Sequence, residues 1–209
     1  MKRSLALILS CLVLLTYSTK IFAYSNAGSC KIYDGTVFVT WYTIDENGAA
    51  HIWASTGPVS DPSSWTAQEI SIGGVGSPNV SIPNLHLNIN SGNVFADWEY
   101  WDNDLSIMRN AVATYPFGAS SWSTQVISDV TTEASGFFDN QGDVDEDGNF
   151  IVTWSALDNE TSNLVVRCAT AVTDGSTAVW SPSFIVPGAD PLASKKAAQQ
   201  LKKTLPTKK

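Results

Sequence analysis

Two acidic stretches hold the side chains from which chemistry could be built. In "ADWEYWDND", Asp97 and Glu99 alternate along what reads as an extended segment, so both fall on one strand face. Trp101 continues that face, Asp102 and Asp104 stand beside it, and Arg109 follows as the nearest cation. Paired carboxylates are what glycoside hydrolysis requires, and an aromatic ring beside carboxylates can equally hold a sugar without turning it over. In "GDVDEDGNFIVTW", Asp143, Asp145 and Asp147 alternate ahead of Gly148, which matches the first half of a calcium loop built from hard oxygen ligands. A complete loop of that kind would place Glu where Trp154 stands. The alternative is a strand entering a hairpin at "EDGN", where Asp-Gly supplies positive φ. The two histidines, His51 and His86, have no ligand spacing with cysteine or acid, so neither a zinc site nor a Ser/His/Asp triad is expected. "IGGVGSPN" follows a strand but opens no helix, so it reads as a loop between units rather than a phosphate cradle.

The elements that must position these residues emerge from a repeat. "DGTVFVTW" (Asp34 to Trp41), "SGNVFADW" (Ser91 to Trp98) and "DGNFIVTW" (Asp147 to Trp154) align without gaps, their tryptophans 57 and 56 residues apart. Four residues after each tryptophan comes an aspartate in a polar turn: Asp45, Asp102 and Asp158. A further strand follows at "AHIWAST", "SIMRNAVAT" and "LVVRCATA", and each unit then reaches a second tryptophan, Trp65, Trp122 or Trp180. Each unit therefore reads as about four short strands divided by Gly, Asn, Asp, Ser and Pro turns. Val37, Val39 and Trp41, with Val94, Ala96, Trp98 and Phe150, Val152, Trp154, define one apolar face. The opposite face begins apolar at Phe38, Phe95 and Ile151 and turns polar at Thr40, Asp97 and Thr153, as expected of a strand leaving a core. Of the eight tryptophans, six recur at fixed repeat positions and read as core; Trp53 and Trp101 do not recur and are the better ligand candidates.

Composition sets the bounds. Lys2 and Arg3 precede an apolar run from Leu5 to Leu15, with Ala23 as a small residue for cleavage, so residues 1–23 read as a secretory signal peptide and the expected location is secreted, periplasmic or cell-surface. Nothing else approaches the roughly 20 apolar residues of a bilayer span. Residues 31–190 hold all 20 acids against Lys31, Arg109 and Arg167, a net charge of −17. So acidic a body repels phosphate backbones and argues against nucleic acid as a partner. Residues 191–209 carry six lysines and no acid and read as a disordered tail or a short amphipathic helix. In an oxidising compartment Cys30 and Cys168 could join the two ends of the repeat region as a disulfide; the alternative is two small buried apolar side chains.

A unit of 50 to 60 residues with about four strands has the size of a β-propeller blade. Segments such as "DGNFIVTW" followed by a turn, a strand and "SSWSTQVIS" resemble the propeller repeats of secreted bacterial proteins, distantly similar to the Asp-box (BNR) repeats of sialidase-like propellers. "SDPSSW" and "TDGSTAVW" keep the Asp and Trp of that box, and "YPFGASSW" keeps Gly and Trp. The resemblance implies an all-β, propeller-like fold of three four-stranded blades of about 57 residues, at about 29–77, 78–135 and 136–190 within residues 24–190. Sialidases clamp their substrate with three arginines, and this region has only Arg109 and Arg167, so sialidase activity is not expected. Rings need roughly four to eight blades. Three blades therefore mean a homodimer completing one ring, a fragment of a longer propeller, or an open arc. The expected function is a non-enzymatic module binding carbohydrate or protein through blade loops, with Asp97, Glu99, Trp101, Asp102 and Arg109 as ligand residues. A glycoside hydrolase is the alternative, as is a fragment without activity of its own.

Overall fold

The computed structural model describes residues 24–72, 77, 80–173 and 178–186; the expected signal peptide and lysine-rich tail lie outside them. Each repeat forms an antiparallel sheet whose strands pair in chain order. The first sheet contains β1 (Tyr24–Tyr33), β2 (Thr36–Ile44), β3 (Ala50–Pro58) and β4 (Thr66–Glu69). The second contains β5 (Asn84–Leu87), β6 (Val94–Asp102), β7 (Ile107–Tyr115) and β8 (Ser123–Val126). The third contains β9 (Glu133–Val144), β10 (Phe150–Asp158), β11 (Leu164–Thr173) and β12 (Ala178–Trp180), and the short β13 (Phe184–Ile185) also pairs with β11. Among the described residues the only helical turn is Pro62–Ser64, capped by the Asp61 carboxylate, which accepts from Ser63 N at 3.2 Å. The described residues are thus all-β, with three four-stranded antiparallel sheets as their frame.

Turn chemistry sets the strand boundaries. Asp34 and Gly35 link β1 to β2 with φ of 44° and 73°, the paired positive values a tight hairpin needs. Gly148, in the "EDGN" turn, has φ of 91°, so that stretch is the hairpin its alternative reading anticipated. Asp45 Oδ1 accepts from Asn47 N and Ala49 N at 2.9 and 2.8 Å, and Asp102 and Asp158 close the matching turns of their sheets in the same manner. A residue on the next strand reaches back to each: His51 to Asp45 at 3.5 Å, Arg109 to Asp102 at 3.1 Å, Arg167 to Asp158 at 3.0 Å.

Bonds of this kind hold the carboxyls of Asp45, Asp145 and Asp158 below the ordinary value of 3.8. The cause is first the Ala49 amide for Asp45, the Asn149 side chain for Asp145 and the Thr161 hydroxyl for Asp158. A carboxyl depressed in the fold stabilises it above the unfolded pKa and loses that contribution as pH falls through the folded one. Urea midpoints are therefore expected to hold steady from neutrality to about pH 5 and to fall below about pH 4. A midpoint that rises on acidification would contradict the turn geometry.

The sheets stack face to face, which buries more than alternation along one strand suggests. The leading face of the second sheet (Val94, Ala96, Trp98) packs on the trailing face of the first (Phe38, Ile52, Ala54). The leading face of the third (Phe150, Val152, Trp154) packs on the trailing face of the second (Phe95, Val112). The second tryptophan of a unit joins the preceding sheet: Trp122 donates to Thr56 Oγ1 at 3.3 Å, and Trp180 meets Phe95 edge-on at 5.8 Å. Thr40 and Asp97 sit on trailing faces at 0% exposure, so the expectation that this face leaves the core is corrected. The next sheet covers it, and polar atoms there must find partners inside. The first strands run side by side, β1 beside β5 and β5 beside β9.

Both cysteines among the described residues are free thiols. Cys30 is exposed on β1 and Cys168 is buried on β11, in sheets that have the second one between them.

Candidate functional site

Asp97 marks where the middle repeat departs from its neighbours. The first and third copies carry threonine there, and Thr40 Oγ1 and Thr153 Oγ1 donate to the carbonyls of Pro83 and Gln141 at 3.3 and 3.4 Å. A hydroxyl needs one such acceptor; a buried carboxylate needs donors for two oxygens. Two strands supply them. His86 of β5 places Nε2 2.5 Å from Asp97 Oδ1, and Asn140 of β9 donates from Nδ2 to Oδ2 at 2.5 Å. A carboxylate acceptor is matched by a proton on Nε2, which leaves Nδ1 as the ring nitrogen turned to other partners. The ring stacks on Phe95, with centroids 4.4 Å apart and planes 18° from parallel. Asp97 is fully enclosed, whereas the His86 side chain keeps 20% exposure. Gly142 of β9 completes the enclosure: a Cβ there would stand 2.7 Å from His86 Nε2 and 2.8 Å from Asp97 Oδ1.

The polar character continues along the same face. Glu99 lies two residues beyond Asp97 and is 2% exposed; its cross-strand neighbour is Asn110, 1% exposed, whose side-chain oxygen and nitrogen both lack hydrogen-bond partners. The repeat places Tyr42 and Ser155 where Glu99 stands. A carboxylate orienting a partly accessible imidazole can present a fixed hydrogen-bonding group to a ligand hydroxyl, or move a proton if a substrate is held against it.

Of the five residues expected to hold ligand, the structure groups Asp97 and Glu99 inside the interface between the second and third sheets. Trp101 is half-buried further along, its amide bonded to Ser77 Oγ at 2.9 Å. Asp102 and Arg109 are engaged with each other at 3.1 Å, and Arg109 also donates to Ser128 O at 3.1 Å. Neither carboxylate of the interior pair lies on a blade loop, and the turn pair is occupied with closing its own hairpin. Asp143 is the last residue but one of β9, with its carboxylate accepting from Val144 N at 2.8 Å. Asp145 Oδ1 is taken by the amides of Asp147 and Asn149, and Oδ2 by Asn149 Nδ2 at 2.8 Å. Among the described residues no three His, Cys, Asp or Glu side chains converge as a metal would require. Trp53 stacks on Trp41 with centroids 6.4 Å apart.

Spacing along the chain concealed the acidic partner of each histidine. Each meets its carboxylate across strands: His86 meets Asp97, and His51 Nδ1 lies 2.6 Å from Glu69 Oε1. The available signal was the replacement of a repeat threonine by Asp97, which demands an interior donor.

No family model matches this chain. No curated protein matches it either. Among solved structures it is similar to CoXyl43, a GH43 β-xylosidase/α-arabinofuranosidase from a compost microbial metagenome, in its calcium-free complex with xylotriose. That likeness has a TM-score of 0.40 at 14% identity and covers 81% of this chain and 62% of CoXyl43, so the chain spans less than two thirds of that protein's length. A likeness of this extent assigns no residue and no activity.

Proposed function

We propose that this chain is an exported, propeller-type binding module that takes carbohydrate at the inner edge of its second sheet. One observation carries the reading. In the one repeat where threonine is replaced by Asp97, the carboxylate is enclosed and spent on orienting His86, whose ring remains 20% exposed. A purely structural position would keep the threonine of the other two copies. The adjacency of β1, β5 and β9 supports a radial arrangement, in which an inner edge would be reached from a central channel. Oriented imidazole and amide groups suit the hydroxyls of a neutral sugar. Calorimetric titration against a panel of neutral oligosaccharides tests it, with His86→Ala expected to weaken binding by about tenfold or more. Unaltered affinity in His86→Ala would remove the site, and silence across the panel would remove carbohydrate as the ligand.

A hydrolase is favoured by one feature, the spacing of Asp97 and Glu99. Two residues apart on one strand face, they supply the two carboxyl groups that such chemistry uses. Their enclosure at 0% and 2% exposure favours the binding reading, because general acid and base must touch substrate. Turnover of chromogenic glycosides, lost in both Asp97→Asn and Glu99→Gln, would reverse that preference.

A further inference from the structure

The two outer sheets each leave partly exposed a face that is sealed between sheets elsewhere in the chain, although Val37 at 0% on the first and Cys168 at 3% on the third are already enclosed. Trailing faces are sealed wherever another sheet follows: Phe38, Thr40 and Ala54 at 0% on the first, Phe95 at 0% and Val112 at 1% on the second. On the third sheet much of the same face is open. Ile151, the equivalent of Phe38 and Phe95, is 38% exposed, and it is joined by Val166 at 38%, Val172 at 63% and Val179 at 71%. Cross-strand pairing of Ile151 with Thr170 and of Val172 with Val179 makes these one continuous face. Leading faces behave in the converse way. Trp98 and Trp154 are 1% exposed and Trp122 and Trp180 are 5% and 6%, each against a preceding sheet. Their equivalents on the first sheet, Trp41 and Trp65, are only half-buried.

We propose that a second copy of this chain supplies the missing partner. The trailing face of one copy's third sheet docks on the leading face of the other's first sheet, and two such contacts about a two-fold axis close a ring of six sheets. The contact is one the chain already makes twice internally, from equivalent positions, so its two surfaces are complementary by construction. An unrelated protein would have to imitate a leading face that this chain itself displays. Ile151, Thr153, Val166, Thr170, Val172 and Val179 are uncharged, and the one acid paired with them is the exposed Asp143, across from Ile151 at the β9 edge, so the centre of this face is apolar. Exposed apolar area of this extent marks an association surface, and joining it to its complement removes it from water. The proposal does not depend on the ligand assigned above.

Light scattering on the size-exclusion peak of the chain lacking residues 1–23 tests it and should return twice the mass of one chain. Val172→Glu with Val179→Glu should give a monomer with unchanged far-ultraviolet circular dichroism. Trp65→Arg, on the other face, should also be monomeric, and mixing it with the first variant should restore a dimer through the one intact contact. Should the double variant not fold, Trp65→Arg alone carries the test. A monomeric parent chain, assemblies that grow beyond two copies, or a Trp65→Arg variant that remains dimeric would each overturn the proposal.

Discussion

Replacing Arg167 by methionine will lower the unfolding free energy by about 3 to 5 kcal/mol, the cost of leaving a buried charge without its counterpart. Arg167 is 3% exposed, donates to Asp158 Oδ1 at 3.0 Å and Thr132 O at 2.8 Å, and faces Glu133, also 3% exposed. Glu133 organises its surroundings in turn: Trp154 Nε1 donates to Oε2 at 2.9 Å, and Asp129 N and Ser183 Oγ donate to Oε1 at 2.8 Å. Without the guanidinium, these donors must hold an interior carboxylate alone. Arg109 makes the matching contact to the turn aspartate of its own sheet, but with 17% side-chain exposure, and its partner Asp102 has 16%, so water can compensate its loss. Arg109→Met is accordingly expected to cost about 1 kcal/mol or less. Equilibrium urea unfolding of both variants measures the difference, and equal losses would refute the distinction between an interior charge network and a turn clamp.

Gly142→Ala is the second large effect. The added methyl would sit 2.7 Å from His86 Nε2 and 2.8 Å from Asp97 Oδ1, closer than side-chain contacts allow. Either β9 withdraws from the second sheet or His86 leaves Asp97. Overpacking of this kind costs about 1 to 3 kcal/mol. On the binding reading, the moved imidazole should also weaken ligand affinity by about tenfold. Asp97→Thr separates the two effects. It restores the residue used by the other two repeats, at an expected stability cost of about 1 to 2 kcal/mol, while removing the carboxylate that orients His86. A Gly142→Ala variant as stable as the parent would show that β9 does not press on the dyad.

Much of the architecture is local and was therefore legible in the chain. Period-two alternation at Val37, Val39 and Trp41 and their equivalents marks strands, and Asp-Gly at Asp34–Gly35 and Asp147–Gly148 marks hairpins. The aspartates four residues past each tryptophan mark the turns that follow. Each of these signals is carried by neighbours in sequence. The aspartates of "GDVDEDGN" were ambiguous on that evidence, and the structure engages Asp145 as the organiser of its turn.

The candidate site was legible only in part. The sequence determined three repeats of four strands, and it drew attention to Asp97 and Glu99 as carboxylates on one strand face. Only the tertiary structure decided that a following sheet encloses that face and that Asp102 and Arg109 are spent on each other. It alone joined His86 and Asn140 to Asp97, kept Cys30 and Cys168 apart, and left the third sheet's trailing face uncovered. The reason is physical: strand and turn preferences arise from adjacent residues, whereas a partner such as Asn140, 43 residues from Asp97, is chosen by how two sheets stack. No periodicity within either strand encodes that approach.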